Sequence, residues 1–418
     1  MDSCKYLIIG AGPAALAAAQ AIRTCDKNAD ITLVTREHNL PYSPAVLPYL
    51  LSGELTEKDL FVKGRDLLAD LKVKLICNKE VAAVLHETNE VKFTSGECQK
   101  YDKLLIATGA GPQIPAIENL ESDQIYTFRT FDDFEKLQKT LTNKQSIAIY
   151  GAGLVAVEAA EKLCMAGHAV TIIARSSLLR KYFSPKNVAV LEQAFSKHGG
   201  RILTNNTLVS AKKVENKLEL MVSNGEKLVV DRLIVATGVT ANMVENDLIP
   251  RVSGGLKVGK HMETALPNIY AAGDVAAAPS FYNGQNAPCP ILPEAVLQGK
   301  IAGANMAGKK IAYAGWIPGN YLRCFDESLF SIGITDAQLE MAYQVLEKQE
   351  GSSTLKLLFK DEYLVGAEGL NMKSIHPGVF LKLIKEQIPV EKNQELLLAK
   401  PRETACWLML KHGKTQAV

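Results

Sequence analysis

The sequence predicts an α/β chain of two parallel-sheet domains followed by a small α+β tail. Three observations predict it. Two glycine-rich loops stand far apart, Gly10-Ala11-Gly12-Pro13-Ala14-Ala15 and Gly151-Ala152-Gly153-Leu154-Val155-Ala156. Each follows an apolar strand pattern, Tyr6 to Ile9 and Ile147 to Tyr150, and precedes an alanine-rich helical stretch. Each half then runs through a hairpin-like region to a buried strand ending in Ala-Thr-Gly, at Ala107-Thr108-Gly109 and Ala236-Thr237-Gly238. From Tyr313 onward the pattern changes to short strands and amphipathic helices.

The glycine loops imply two Rossmann-like domains. In such a loop the first glycine allows the tight turn, the second admits a pyrophosphate, and a third small residue lets helix and strand pack closely. Gly10, Gly12 and Ala15 fill these places in the first loop, and Gly151, Gly153 and Ala156 in the second. The helix N-terminus behind each presents free N–H groups and partial positive charge. Two dinucleotides on one chain suit hydride exchange between a nicotinamide and a flavin.

The elements follow in order. A helix is expected over Ala14 to Thr24 and a strand over Ile31 to Thr35, with Glu37 placed to grip a ribose. Strands are expected at Val81 to Leu85, Val91 to Phe93 and Lys103 to Ile106. Leu120 to Lys144 reads as a connecting helical segment, and Ser146 to Arg175 as the second βαβ unit. A hairpin follows at Lys217 to Val222 and Lys227 to Val230, then the strand into Gly238. Ile269 to Ala272 leads into Gly273-Asp274, and Pro293 to Met306 reads as a helix. In the tail, Phe330 to Ile332 and Leu355 to Phe359 read as strands, and Gly378 to Lys385 and Lys392 to Ala399 as helices.

Composition narrows the function. A chain of 418 residues with a formal charge of +2 has room for several domains and no basic surplus for nucleic acid. No apolar stretch reaches the length of a membrane span, and no leading signal segment is visible. The eight cysteines are scattered, with no CxxC and no local ligand set, so no metal site is expected. Dispersed thiols fit a cytoplasmic protein.

Five separated segments together resemble the FAD-dependent pyridine nucleotide–disulfide oxidoreductase superfamily: GAGPAA at Gly10, IATG at Ile106, GAGLVAVE at Gly151, VATG at Val235 and YAAGD at Tyr270. The resemblance implies that residues 1–112 and 241–312 bind FAD, 113–240 bind the nicotinamide nucleotide, and 313–418 form an interface domain. It implies Gly10, Gly12, Pro13, Ala14 and Ala15 at the FAD pyrophosphate, Val81 by the adenine, and Gly273 and Asp274 at the ribityl chain. Glu37 and the turn Ala107, Thr108, Gly109 complete the FAD set; Gly151, Gly153, Leu154, Val155, Ala156, Arg175 and Gly238 belong to the nucleotide, with Glu158 facing the nicotinamide.

The thiol chemistry of that superfamily is missing. No cysteine lies between Cys25 and Cys77, and in Tyr42-Ser43-Pro44-Ala45-Val46-Leu47-Pro48-Tyr49 an alanine, Ala45, holds the place where coenzyme A disulfide reductases carry their cysteine. Without it there is no nucleophile for disulfide exchange. The segment instead resembles rubredoxin reductases and nitrite reductase flavoproteins, and the tail resembles the FAD subunit of phenylglyoxylate dehydrogenase. The function expected is an FAD-dependent NAD(P)H oxidoreductase subunit. It exchanges hydride at flavin N5 and passes electrons to or from an iron–sulfur or rubredoxin-like partner, in an oligomer or multi-subunit complex. A stand-alone NAD(P)H oxidase or small-molecule reductase, and a redox-switched flavin-binding interaction protein, are the alternatives. For the nucleotide the resemblance favours NAD(H). The strand end Ala174-Arg175, with Arg180 nearby, lacks the ribose-binding acid and leaves NADP(H) open.

Overall fold

The computed structural model describes residues 4–120, 125–142, 144–245, 248–338, 343–373 and 375–412. It divides into two compact units, Met1–Gly111 with Val239–Trp316, and Pro112–Gly238 with Ile317–Val418.

In the first unit, strand Cys4–Ile9 pairs in parallel with Ile31–Val34 on one side and Cys98–Ile106 on the other, Tyr6 lying opposite Ile31 and Lys103. Lys74–Ile76 extends the sheet beyond Ile31–Val34, and Ile269–Ala271 joins Cys98–Ile106. Leu7, Ile8, Leu33, Leu104 and Leu105 are fully buried, as a parallel sheet covered on both faces requires. Helix Pro13–Cys25 follows the first glycine loop. It packs against helix Leu292–Met306 through small residues. A Cβ on Gly299 would lie 2.2 Å from the Ala14 carbonyl oxygen, and one on Gly303 2.3 Å from that of Ala18. Only glycine allows the two backbones to approach so closely.

The second unit repeats the plan. Ser146–Tyr150 lies between Ala169–Ile173 and Arg232–Val235 in a parallel sheet, with Arg201–Leu203 and Ile125–Tyr126 at the edges. The hairpin Lys217–Val222 with Lys227–Val230 forms as the sequence predicts, joined by Leu208–Val214. The expectation for Leu120 to Lys144 is corrected. Its helix is only Phe131–Gln138, preceded by the edge strand Ile125–Tyr126, while 121–124 and 143 lie outside the described residues. Thr130 and Asp133 start that helix with a capping box, the local signal for its late beginning.

The tail builds a five-stranded antiparallel sheet, with Glu327–Gly333 and Tyr363–Leu370 side by side. Helix Gly378–Lys385 covers it by burying Phe380, Leu383 and Ile384, and the Phe380 ring lies 5.9 Å from that of Phe330. Two buried carboxylates tie this sheet to the rest of its unit. Glu368 accepts hydrogen bonds from the Ser184 amide (2.9 Å) and hydroxyl (2.7 Å) and from the Asn187 side chain. It thereby closes the start of helix Pro185–Lys197, whose own N-cap side chain makes no capping bond. Glu161 accepts from the Phe325 amide at 2.9 Å.

Candidate functional site

Both glycine loops are shaped by the strand that ends in Ala-Thr-Gly. Gly10 has φ +113°, and a Cβ there would lie 2.2 Å from the Ala107 carbonyl oxygen. A Cβ on Gly151 would lie 2.2 Å from the Ala236 carbonyl oxygen. The repeated Ala-Thr-Gly is thus the surface against which each loop turns. The threonines hold their own turns: the Thr108 hydroxyl donates to the Asn242 carbonyl at 2.6 Å, and the Thr237 hydroxyl to that of Gln113 at 2.5 Å. The Asn242 amide group returns a bond to the Thr108 carbonyl at 3.0 Å.

The helices behind the loops begin without a side-chain cap, at Gly12 and Gly153. Helices Glu57–Asp70 and Phe131–Gln138, in contrast, are closed by Thr56 with Asp59 and Thr130 with Asp133. A Cβ on Gly12 or Gly153 would meet nothing within 4 Å, so both loops face open space. First-turn N–H groups have no intrahelical partner, which leaves those of Ala14, Ala15, Val155 and Ala156 to bind an anion. This donor set fits two dinucleotide pyrophosphates.

Around the first loop, Gly273 lies within reach of helix Pro13–Cys25: a Cβ on it would be 3.1 Å from that of Ala14. Its amide donates to the Gln298 side-chain oxygen at 2.9 Å. Gln298 also donates to the Tyr313 hydroxyl at 3.4 Å, and Tyr313 donates to Glu294, both residues buried. The sequence reading missed Gln298, Glu294 and Tyr313. Their only signal is position, on or beside a helix whose Gly299 and Gly303 mark a tight packing face. Asp274 follows Gly273 and is half-buried. Glu37 is half-buried too and accepts the Tyr42 hydroxyl at 2.7 Å, which fixes its carboxylate just after strand Ile31–Val34. Val81 is buried at the start of its strand.

Around the second loop, Glu158 lies on helix Leu154–Met165. Burial first, and then the neighbouring Glu161 carboxylate, push its pKa up to about 7, with Lys162 opposing. Arg175 is exposed just beyond strand Ala169–Ile173, next to fully buried Ala174. The loop after it folds back, and the Leu179 amide donates to the carbonyl of Ala152 at 2.8 Å. Gly238 accepts the Gln113 amide at 2.9 Å.

All eight cysteines are free. Ala45 sits in the single helical turn Pro44–Val46, so that turn offers no sulfur. Cys289 is influenced by Asp274, but burial, then Glu294 and Asp274, push its pKa up to about 12. A thiol so protonated is a poor nucleophile at neutral pH. No helix among the described residues is long and apolar enough to cross a membrane.

Comparison with known proteins places these features in a family. Residues 4–307 match the model of the pyridine nucleotide-disulphide oxidoreductases. The chain is 34% identical over 406 residues to the NADH-dependent phenylglyoxylate dehydrogenase subunit epsilon of Aromatoleum evansii, covering 96% of each. It is 29% identical over 368 residues to the NADH-rubredoxin oxidoreductase of Clostridium acetobutylicum, covering 87% of this chain and 88% of that one. An engineered water-forming NADPH oxidase, solved with NADPH bound, superposes with a TM-score of 0.84 at 24% identity over 92% of each chain. That enzyme carries five substitutions: Gly to Ala, Asp to Ala, Ala to Arg, Met to Ser and Pro to Arg.

Proposed function

We propose, from the premise that the chain belongs to the pyridine nucleotide-disulphide oxidoreductase family, that it moves electrons between a nicotinamide nucleotide and a one-electron carrier protein. The observation that carries the proposal is the duplicated, uncapped glycine loop, one in each unit. FAD and a nicotinamide nucleotide are the family's cofactors, and each loop suits one of them. In this reading the amides of Ala14 and Ala15 hold the FAD pyrophosphate, Glu37 its ribose and Asp274 its ribityl chain. Val155 and Ala156 hold the nucleotide pyrophosphate, and Glu158 stands by the nicotinamide.

When bound, FAD supplies the exchange of a two-electron hydride, at N5, for single electrons passed to a carrier. The chain's own part is to bind, orient and exclude. It adds no thiol relay: Ala45 has no sulfur, and Cys289 keeps its proton. The acceptor therefore comes from outside, and a rubredoxin-like or iron–sulfur protein fits. Similarity across 96% of a chain named as a subunit supports work within a multi-subunit oxidoreductase.

The nucleotide end has a further support. The residues introduced into the engineered NADPH oxidase have native counterparts here at the same spacing. Ala156, Ala174, Arg175 and Ser176 match the first four, and Lys181 supplies a cation for the fifth, an arginine.

The test is oxidation of reduced nicotinamide nucleotide by the FAD-loaded protein with rubredoxin, ferredoxin and oxygen offered separately. The proposal expects either carrier to outpace oxygen by at least roughly tenfold, about 1.4 kcal/mol in barrier. Rapid turnover with oxygen and none with carriers would replace it with a stand-alone oxidase.

A further inference from the structure

We infer that the second glycine loop selects the 2′-phosphate of NADPH over the 2′-hydroxyl of NADH, through Arg175 and Arg180. The inference rests on the reading of that loop as the nicotinamide-nucleotide site, and it runs against the NADH named for the phenylglyoxylate dehydrogenase subunit.

The geometry points there from three sides. The first is what is missing. A ribose with free hydroxyls is gripped by an acid just past the strand that follows the glycine loop. Here strand Ala169–Ile173 ends in Ala174, a fully buried methyl whose amide donates to the Leu203 carbonyl at 2.9 Å and whose carbonyl accepts the Asn206 amide at 2.9 Å. Between Glu161 and Glu192 the sequence holds no acidic residue. Nothing on that stretch repels a phosphate dianion or binds a diol through a carboxylate.

The second is what is present. The same stretch carries Arg175, Arg180 and Lys181, all exposed. Among the described residues neither arginine makes an ion pair with a carboxylate. A guanidinium left unpaired on a folded loop is free to form a bidentate contact with phosphate oxygens.

The third is how the loop is held. Leu178 and Leu179 are buried beneath it, and Leu179 adopts a left-handed backbone (φ 50°). The Leu179 amide donates to the Ala152 carbonyl inside the glycine loop, and the Tyr182 and Phe183 amides turn back onto the Leu179 carbonyl at 2.8 and 3.1 Å. Arg180 is thereby anchored beside the pyrophosphate loop, while Arg175 leaves the strand end. Leu179, buried between the two exposed arginines, holds the backbone of that segment against the glycine loop, and in this reading both cations face the adenosine ribose.

Two measurements on the FAD-loaded protein test this. The first is calorimetric binding of 2′,5′-ADP and of 5′-AMP, which needs no turnover. The expected result is a preference for 2′,5′-ADP of roughly tenfold or more, the scale of one charged hydrogen bond. Arg175→Gln and Arg180→Gln should each remove most of it, and Arg175→Lys should restore part, because the charge returns without the fork. Equal binding of the two probes, or a preference that survives both glutamine variants, overturns the inference. The second is anaerobic bleaching of the flavin by NADPH and by NADH. Faster bleaching by NADPH is expected. Faster bleaching by NADH overturns the inference and leaves the proposed function standing. Bleaching by neither overturns the proposed function, and the inference with it as a statement about coenzyme.

Discussion

Replacing Glu158 with Gln should stabilise the second unit at alkaline pH and leave it unchanged in acid. The carboxyl lies on helix Leu154–Met165 with a pKa raised from 4.5 to about 7, first by burial and then by Glu161. The folded state therefore binds more protons than the unfolded state between those two values. Stability falls as pH rises through that window and is level above it. A shift of this size is worth about 3 kcal/mol at 1.36 kcal/mol per unit. Glu158 keeps part of its surface in solvent, so screening brings the usable effect to about 1–2 kcal/mol. Glutamine keeps the shape and carries no charge at any pH.

Thermal unfolding at about pH 8.5 should then show the variant about 2–6 °C more stable than the parent, with no gain at about pH 3.5, where the carboxyl is neutral in both the folded and the unfolded state. Hydrogen exchange read on the peptide spanning Leu154–Met165 localises the change. Protection of these amides should rise in the variant only at the higher pH. A gain of equal size at both pH values would show that packing, not charge, is responsible. A loss at pH 8.5 would show that the ionised carboxylate is held by a favourable partner, and the assignment of burial as its dominant influence would fail.

The remaining predictions concern cofactor retention and the tail. Asp274→Ala should lower flavin content after dialysis without unfolding the chain, measured as the ratio of flavin to protein absorbance; full occupancy would remove Asp274 from the FAD site. Gly10→Ala should abolish flavin retention, because its methyl would meet the Ala107 carbonyl oxygen at 2.2 Å. Gly151→Ala should leave flavin bound but weaken nucleotide binding in calorimetry; loss of both in either variant would contradict one cofactor per loop. Glu368→Ala should cost about 2–4 kcal/mol in denaturant unfolding, since it strands the Ser184 and Asn187 donors it now satisfies. A neutral effect would mean that water replaces the carboxylate.

The glycine loops and the Ala-Thr-Gly turns were legible because their chemistry is local. Gly10 and Gly151 are required by an oxygen 2.2 Å from where a side chain would start, and each contact is made by a strand of the same repeat. Helix Gly378–Lys385 was legible for a similar reason: its apolar spacing alone sets the buried face. The connecting segment before Ser146 misled because polar residues with scattered leucines mimic a helical period. Thr130 and Asp133 decide where the helix begins, and the two-residue strand before it pairs with Leu233 and Ile234, more than a hundred residues away.

What stayed hidden depends on pairs that are distant in sequence. Gln298 reads as an ordinary polar residue in an alanine-rich helix until Gly273 is placed against it. Glu368 reads as an exposed strand acid until Ser184 supplies two donors from 184 residues away. The same distinction applies to the coenzyme. Ala174 and Arg175 are visible in the sequence, but their weight comes from the bond between Leu179 and Ala152, which holds the backbone that carries Arg180 beside the glycine loop. A missing acid alone would permit either nucleotide. A missing acid together with two unpaired guanidiniums on a held backbone favours the one that carries the extra phosphate.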